Sequence, residues 1–333
     1  MSWAWARGKS STAESAAKLA EMEALARELG FDLFGICSAD PPESTPFLNA
    51  WLEAGFQGSM DYMQRHAGIR ADLTQLLPGV RSCIVVGINY FQPQSQPKIA
   101  RYAQGRDYHR VIRGRLRRLA GQLKQIHPEA DFRACVDSAP VFERELAVRA
   151  GLGWLGKNSI LIHSHRGSWF LLGVLLTTLK LEPTAPNPGG CGRCTACIDA
   201  CPTGAIVQLA GRWTVDSRRC ISYRTIEHRG AWDDQNHEGW VFGCDICQEV
   251  CPFNHPRAHQ PLRARVSTDP DFQPRTWPTL VELATLTEDN WDEMTRGSAT
   301  RRASAEQWRR NARLVLQQRD GALASERKDD ADL

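Results

Sequence analysis

Apolar residues recur at helical spacing through residues 13–29 (AESAAKLAEMEALAREL), with Thr12 as an N-cap and Gly30 as the stop. FDLFGICSA (31–39) and CIVVGINYF (83–91) are apolar-rich runs of strand length and predict buried strands. Residues 111–126 predict an amphipathic helix. Ile112, Leu116, Leu119, Leu123 and Ile126 share one face, and four arginines take the others. FRACV (132–136) reads as a third strand. It runs into the turn DSAP, with Asp137 placed as a cap, and then a short helix in VFERELAVRAG. ILIH (160–163) and WFLLGVLLTT (169–178) predict a hairpin turned at residues 164–167. Strands alternating with helices over the first 180 residues predict an α/β or α+β domain.

PTAPNPGG (183–190) breaks this pattern and divides the chain into residues 1–182, 183–258 and 259–333. After Pro252 the sequence is loop-like to about Pro278. Helical patterns then return in LVELATL and RRASAEQWRRNARLVLQQR. Residues 301–319 hold six Arg and one Glu, a local charge of +5, whereas 320–333 is acidic and reads as a frayed end. The 333 residues are 42% hydrophobic and 24% charged, as in soluble globular proteins of about two domains. No apolar run approaches ~20 residues, and MSWAWARGKSSTAES has no apolar signal core, so a cytoplasmic chain without a membrane partner is expected. No coiled-coil pattern calls for a dimer, so a monomer is expected. The net charge of +3 excludes no partner class.

The cysteines change the picture. Cys37, Cys83 and Cys135 fall in predicted strands and read as core thiols, while eight others lie between Cys191 and Cys251. CGRCTACIDACP places Cys191, Cys194, Cys197 and Cys201 in a C-x2-C-x2-C-x3-C-P run, the bacterial ferredoxin spacing. In such a run the first three thiolates hold one cubane and the fourth serves the other. CDICQEVCP supplies Cys244, Cys247 and Cys251, with Cys220 as the spare ligand nearby. Two 4Fe–4S clusters follow: one on Cys191, Cys194, Cys197 and Cys251, the other on Cys201, Cys220, Cys244 and Cys247. Structural zinc is the competing reading, but zinc does not need the C-x3-C-P exchange pattern, which occurs here twice.

Two clusters form a one-electron wire, and the long N-terminal domain is where its electrons are expected to be used. No G-x-G-x-x-G follows a strand, and there is no Walker motif. The D-x-H-x-x-G signature of a histidine beneath cobalamin begins at Asp107 and His109 but has Ile112 in place of the glycine. RYAQGRDYH (101–109), DSAPVFERELA (137–147) and GLGWLGKNSILI (151–162) stand at strand ends or turns, where sites are built.

These strings, with CISYRTIEHRG, GSWFLLG and FGCDICQEVCPFN, resemble the epoxyqueuosine reductase family over roughly residues 15–255, and more weakly to about 318. The resemblance implies an α+β chain in three parts. A nitroreductase-like α/β domain binds cobalamin without a lower histidine. A ferredoxin-like two-cluster domain follows, then a short helical remnant of a HEAT-like repeat. It implies reduction of epoxyqueuosine in the tRNA wobble position, fed by an external electron donor. Asp137 matches the proton donor, and burial is expected to keep it protonated. Cobalamin contacts carry over to Arg70, Ala100, Arg101, Asp137, Asn158, Leu161, Leu172, Ser222, Cys244 and Asp245, and a tRNA contact to Arg229. The +5 helix would suit phosphates. The alternatives are a dehalogenase-like cobalamin reductase of a small molecule and a pure electron-transfer protein.

Overall fold

The structure, a computed structural model, describes residues 5–230, 236–259 and 261–329, with side chains from 16 to 319 within those ranges. Its ten strands are β1 (Leu33–Ser38), β2 (Ser82–Asn89), β3 (Lys98–Ile99), β4 (Phe132–Cys135), β5 (Trp154–Leu155), β6 (Leu161–Ile162), β7 (Phe170–Thr177), β8 (Ile206–Leu209), β9 (Arg212–Val215) and β10 (Trp240–Phe242). The main sheet has the order β1-β2-β7-β4, antiparallel throughout. Helices cover both faces, which explains the near-continuous hydrophobicity of β2. Ile84, Val86 and Ile88 face the Tyr108–Ile126 helix and the Trp5–Glu28 helix, while Cys83 and Val85 face the Glu143–Arg149 helix.

Several expectations need correction. The first helix begins at Trp5, so Thr12 is not its cap, although Gly30 (φ 84°) does end it. Ile126 lies in the last turn of its helix and is 48% exposed. The expected hairpin does not form. β6 pairs with β5, and β7 runs between β2 and β4; only a bridge from His163 to Gly167 spans the turn. β7 is apolar on both faces and is best buried at the sheet centre, while ILIH supplies only two paired residues. Cys37, Cys83 and Cys135 are buried free thiols, as the pattern implies.

The three sequence segments interlock. β10, from the cysteine-rich part, pairs in parallel with β3. A third core joins Ile99, Val241 and Phe242 to Leu283, Trp308 and Ala312 of the C-terminal helices. Arg115, 8% exposed, donates to Asp269 (2.6 and 2.9 Å) and Asp271 (2.9 Å), strapping the loop after Pro252 to the Tyr108–Ile126 helix. The expected basic face is largely occupied. Arg301 bonds Asp292, Arg302 bonds Glu227, Arg309 bonds the Leu286 carbonyl, Arg310 bonds those of His228 and Gly230, and Arg313 bonds that of Ala284. The acidic residues 320–333 lie outside the described side chains. Among the described residues, no helix is long and apolar enough to cross a membrane.

Candidate active site and cluster ligands

Asp137 follows β4 in the DSAP turn. Its φ of 43° is a left-handed conformation that a non-glycine residue adopts at a cost. It caps no helix, because the next one starts at Glu143 with Phe142 as its cap. Instead its carboxylate meets His109 Nε2 at 2.9 Å, and His109 Nδ1 meets Asp107 Oδ1 at 2.8 Å. Asp107 caps the Tyr108–Ile126 helix, so that helix start aims the imidazole at the turn. The Asp137 amide donates to Glu143 Oε1 at 2.6 Å.

The protonation differs from expectation. Burial pushes Asp137 up, but the hydrogen bond and charge of His109 outweigh it, and the carboxyl falls below its usual range. Its side chain is 57% exposed, so burial does not keep it neutral. Burial opposes charging of His109, yet its bonds to Asp107 and Asp137 win and raise it to about 9. The proton therefore sits on the imidazole, one hydrogen bond from Asp137. Burial, then the charge of Asp137, raises Glu143 to about 8. His109 and Glu143 lie inside strings that the sequence singled out, but nothing in their spacing shows that they converge on Asp137.

The cysteines assemble crosswise. An open cavity of about 310 Å³ is lined by Cys191, Cys194, Cys197 and Cys251, with Lys157, Asn158, Ile162, Ala196, Pro252 and Phe253. Cys197 and Cys247 ride on matching four-residue helices, Ala196–Asp199 and Ile246–Glu249, which pack together. Pro202 and Pro252 follow each final cysteine and stop the turn. In the second set, burial raises the Cys220 thiol, with a further push from Cys201, and raises Cys244, with a push from Cys220 and Cys247. Cys247 senses Cys220 and Cys201 and also Cys197, so the two sets adjoin. Among the described residues, no three His, Cys, Asp or Glu close on a point where a single ion could sit. Four thiols lining one cavity, carried on loops of ferredoxin spacing, are the donor set of a 4Fe–4S cluster.

The other predicted residues gather largely around the second set. The Arg101 amide and Nη1 donate to Asp245 Oδ2 (2.9 and 3.1 Å), Nη1 also reaches Glu249 (2.7 Å), and Nε donates to the Gln92 carbonyl (2.8 Å). Ala100 donates its amide to the Phe242 carbonyl (2.8 Å), and Asn158 Nδ2 donates to the Cys247 carbonyl (3.2 Å). Leu161 is buried, whereas Leu172, Ser222 and Cys244 are half-buried. Arg70 stands apart at the DSAP turn, donating to the Val141 carbonyl (3.0 Å); its buried Nε has no hydrogen-bond partner among the described residues. Arg229 is exposed in the loop that Arg310 braces.

A mixed α/β fold with an exposed carboxylate turn and two cysteine runs of ferredoxin spacing is the build of an iron–sulfur oxidoreductase. Residues 190–254 match the 4Fe–4S double cluster binding domain, and residues 70–138 match the family described as Epoxyqueuosine reductase QueG, DUF1730. The chain is 46% identical over 297 residues to the epoxyqueuosine reductase of Synechococcus sp. (strain RCC307), covering 86% of this chain and 90% of that protein. It is 42% identical over 305 residues to that of Escherichia coli (strain K12), covering 87% and 78%. Two solved structures are similar. One is an epoxyqueuosine reductase with an epoxyqueuosine-modified tRNA-Tyr stem loop (27% identity, TM-score 0.78, covering 91% of this chain and 81% of that one). The other is the Bacillus subtilis enzyme with its catalytic loop swung out of the active site (26% identity, TM-score 0.79, 91% and 82%). The chain belongs to the epoxyqueuosine reductase family.

Proposed function

We propose that this chain reduces epoxyqueuosine in the tRNA wobble position to queuosine. Two electrons and two protons remove the epoxide oxygen as water and leave an alkene. The Asp137–His109 pair carries the reading: an accessible carboxylate beside a charged imidazole, in the domain that adjoins two cluster sites. Asp137 meets the departing oxygen as the carboxylate and relays to it the proton that His109 holds, and solvent supplies the second proton, so no bare oxyanion is expelled. Cys191, Cys194, Cys197 and Cys251, and Cys201, Cys220, Cys244 and Cys247, would hold two 4Fe–4S clusters, which would supply one-electron transfer. Cobalamin, when bound, would supply the low-valent metal for the two-electron reduction. Arg70, through its unpartnered buried Nε, and the residues around the second set from Ala100 to Asp245 would hold it. Arg229 and the loop around it would meet the tRNA.

Asp137→Ala is expected to keep cobalamin, iron and sulfide while abolishing turnover of epoxyqueuosine tRNA, read by mass spectrometry of digested nucleosides. A variant with near-normal rate overturns the assignment of Asp137. A wild-type chain that binds no cobalamin, yet passes electrons to a partner, supports the electron-transfer alternative instead.

A further inference from the structure

The turn of residues 156–159 belongs to the first domain, yet it reaches both cysteine loops. It is internally fixed: the Gly156 amide donates to the Ile160 carbonyl (2.8 Å), the Ser159 amide to the Gly156 carbonyl (2.9 Å), and Arg144 to the Ser159 carbonyl. Its two central residues diverge. Asn158 donates to the Cys247 carbonyl, in the second set. Lys157 Nζ donates to the carbonyls of Gly192 (3.0 Å) and Cys194 (2.9 Å), in the first. Both carbonyls belong to the CGRC loop. Among the described residues, Lys157 is also the one charged side chain, thiols apart, that lines the first cavity. A second cation, Arg263, sits against the Phe253 ring at 4.8 Å and is bound to the carbonyls of Ser164 and Pro252, and Arg193 lies exposed within the CGRC loop itself.

We propose that Lys157 is a positioning residue for the first cluster, clamping its loop and biasing it toward its reduced form. The clamp follows from geometry. A cation bound to two carbonyls fixes two peptide planes, and with them the directions of the amide donors that hydrogen-bond a cluster's sulfurs. The bias follows from charge. One-electron reduction makes the cluster one unit more negative, so a fixed positive charge at the rim favours the reduced state. The second set has cations of its own: Arg219 donates to the Thr203 carbonyl (3.0 Å), Arg224 acts on Cys220, and Arg101 is paired with Asp245 and Glu249. Lys157 thus makes the first site a better acceptor of an incoming electron than it would be without that charge.

The inference rests on the two-cluster reading, and its test separates the two. Anaerobically purified protein is titrated under controlled potential, with reduced clusters followed by electron paramagnetic resonance and iron and sulfide measured in parallel. Lys157→Gln keeps a donor without the charge. It is expected to retain all the iron and to lower the midpoint of one cluster about tenfold in the reduction equilibrium, about 59 mV for one electron, leaving the other in place. Lys157→Arg is expected to titrate like wild type. In Lys157→Met, faster loss of half the iron supports the clamp. Normal iron with an unmoved midpoint in Lys157→Gln overturns the charge role, and a fully stable cluster in Lys157→Met overturns the clamp. Wild-type protein without acid-labile sulfide instead sinks the two-cluster reading itself.

Discussion

At the scale of single residues, His109 has the clearest consequence. Its pKa rises from the ordinary 6.5 to about 9 on folding, so the folded state binds the proton more tightly. The stabilisation this gives is complete below about pH 6.5 and is lost as pH climbs through about 9. The acid supply for turnover follows the same limb. kcat/KM is expected to fall with an apparent pKa near 9, and His109→Gln is expected to lower it about 100-fold and abolish that limb. A wild-type profile flat through pH 10 contradicts the pairing. The placing of Asp137 in a turn after a strand was legible in the sequence. Its protonation state was not, because that depends on an imidazole 28 positions earlier whose approach only the folded chain creates. The eight cysteines lay at the opposite extreme: ferredoxin spacing is local, so their crosswise grouping could be read before any fold was known.

At the scale of elements, burial on both faces of β2 and β7 made those strands readable and their partners unreadable. An apolar run states that it is covered, not by what, and so β7 read as half of a hairpin when it is a central strand. The small β5–β6 pair depends on Gly153. It has φ 150°, and a Cβ there would lie 2.1 Å from the Ile162 carbonyl oxygen. Gly153→Ala is expected to cost more than about 1 kcal/mol and to lower Tm. Gly121→Ala, in an open helix position with nothing within 4 Å, is expected to gain up to about 1 kcal/mol. Equal Tm values for the two variants contradict this account.

At the scale of the whole molecule, the second cysteine set depends on a helix far along the chain. Asn311, fully buried, donates to the carbonyls of Thr225 (2.9 Å) and Val241 (2.8 Å), and Thr225 Oγ1 accepts from the Gly243 amide (2.9 Å). One side chain therefore closes both ends of the excursion between Cys220 and Cys244. Asn311→Ala leaves two buried carbonyls short of a donor, at about 1–3 kcal/mol each, and is expected to lower Tm and roughly halve the iron per chain. A variant with full iron and wild-type melting refutes the coupling. The arginines of this region illustrate the limit of a charge count: +5 over residues 301–319 is real, but five of the six bind protein groups. The position of Asn311 also sets an order in time. During synthesis all eight ligands leave the ribosome before residue 311, yet the frame that spaces Cys220 from Cys244 closes only when that helix docks. The second site thus matures after translation of the helix, while the first can form as soon as residue 251 is free.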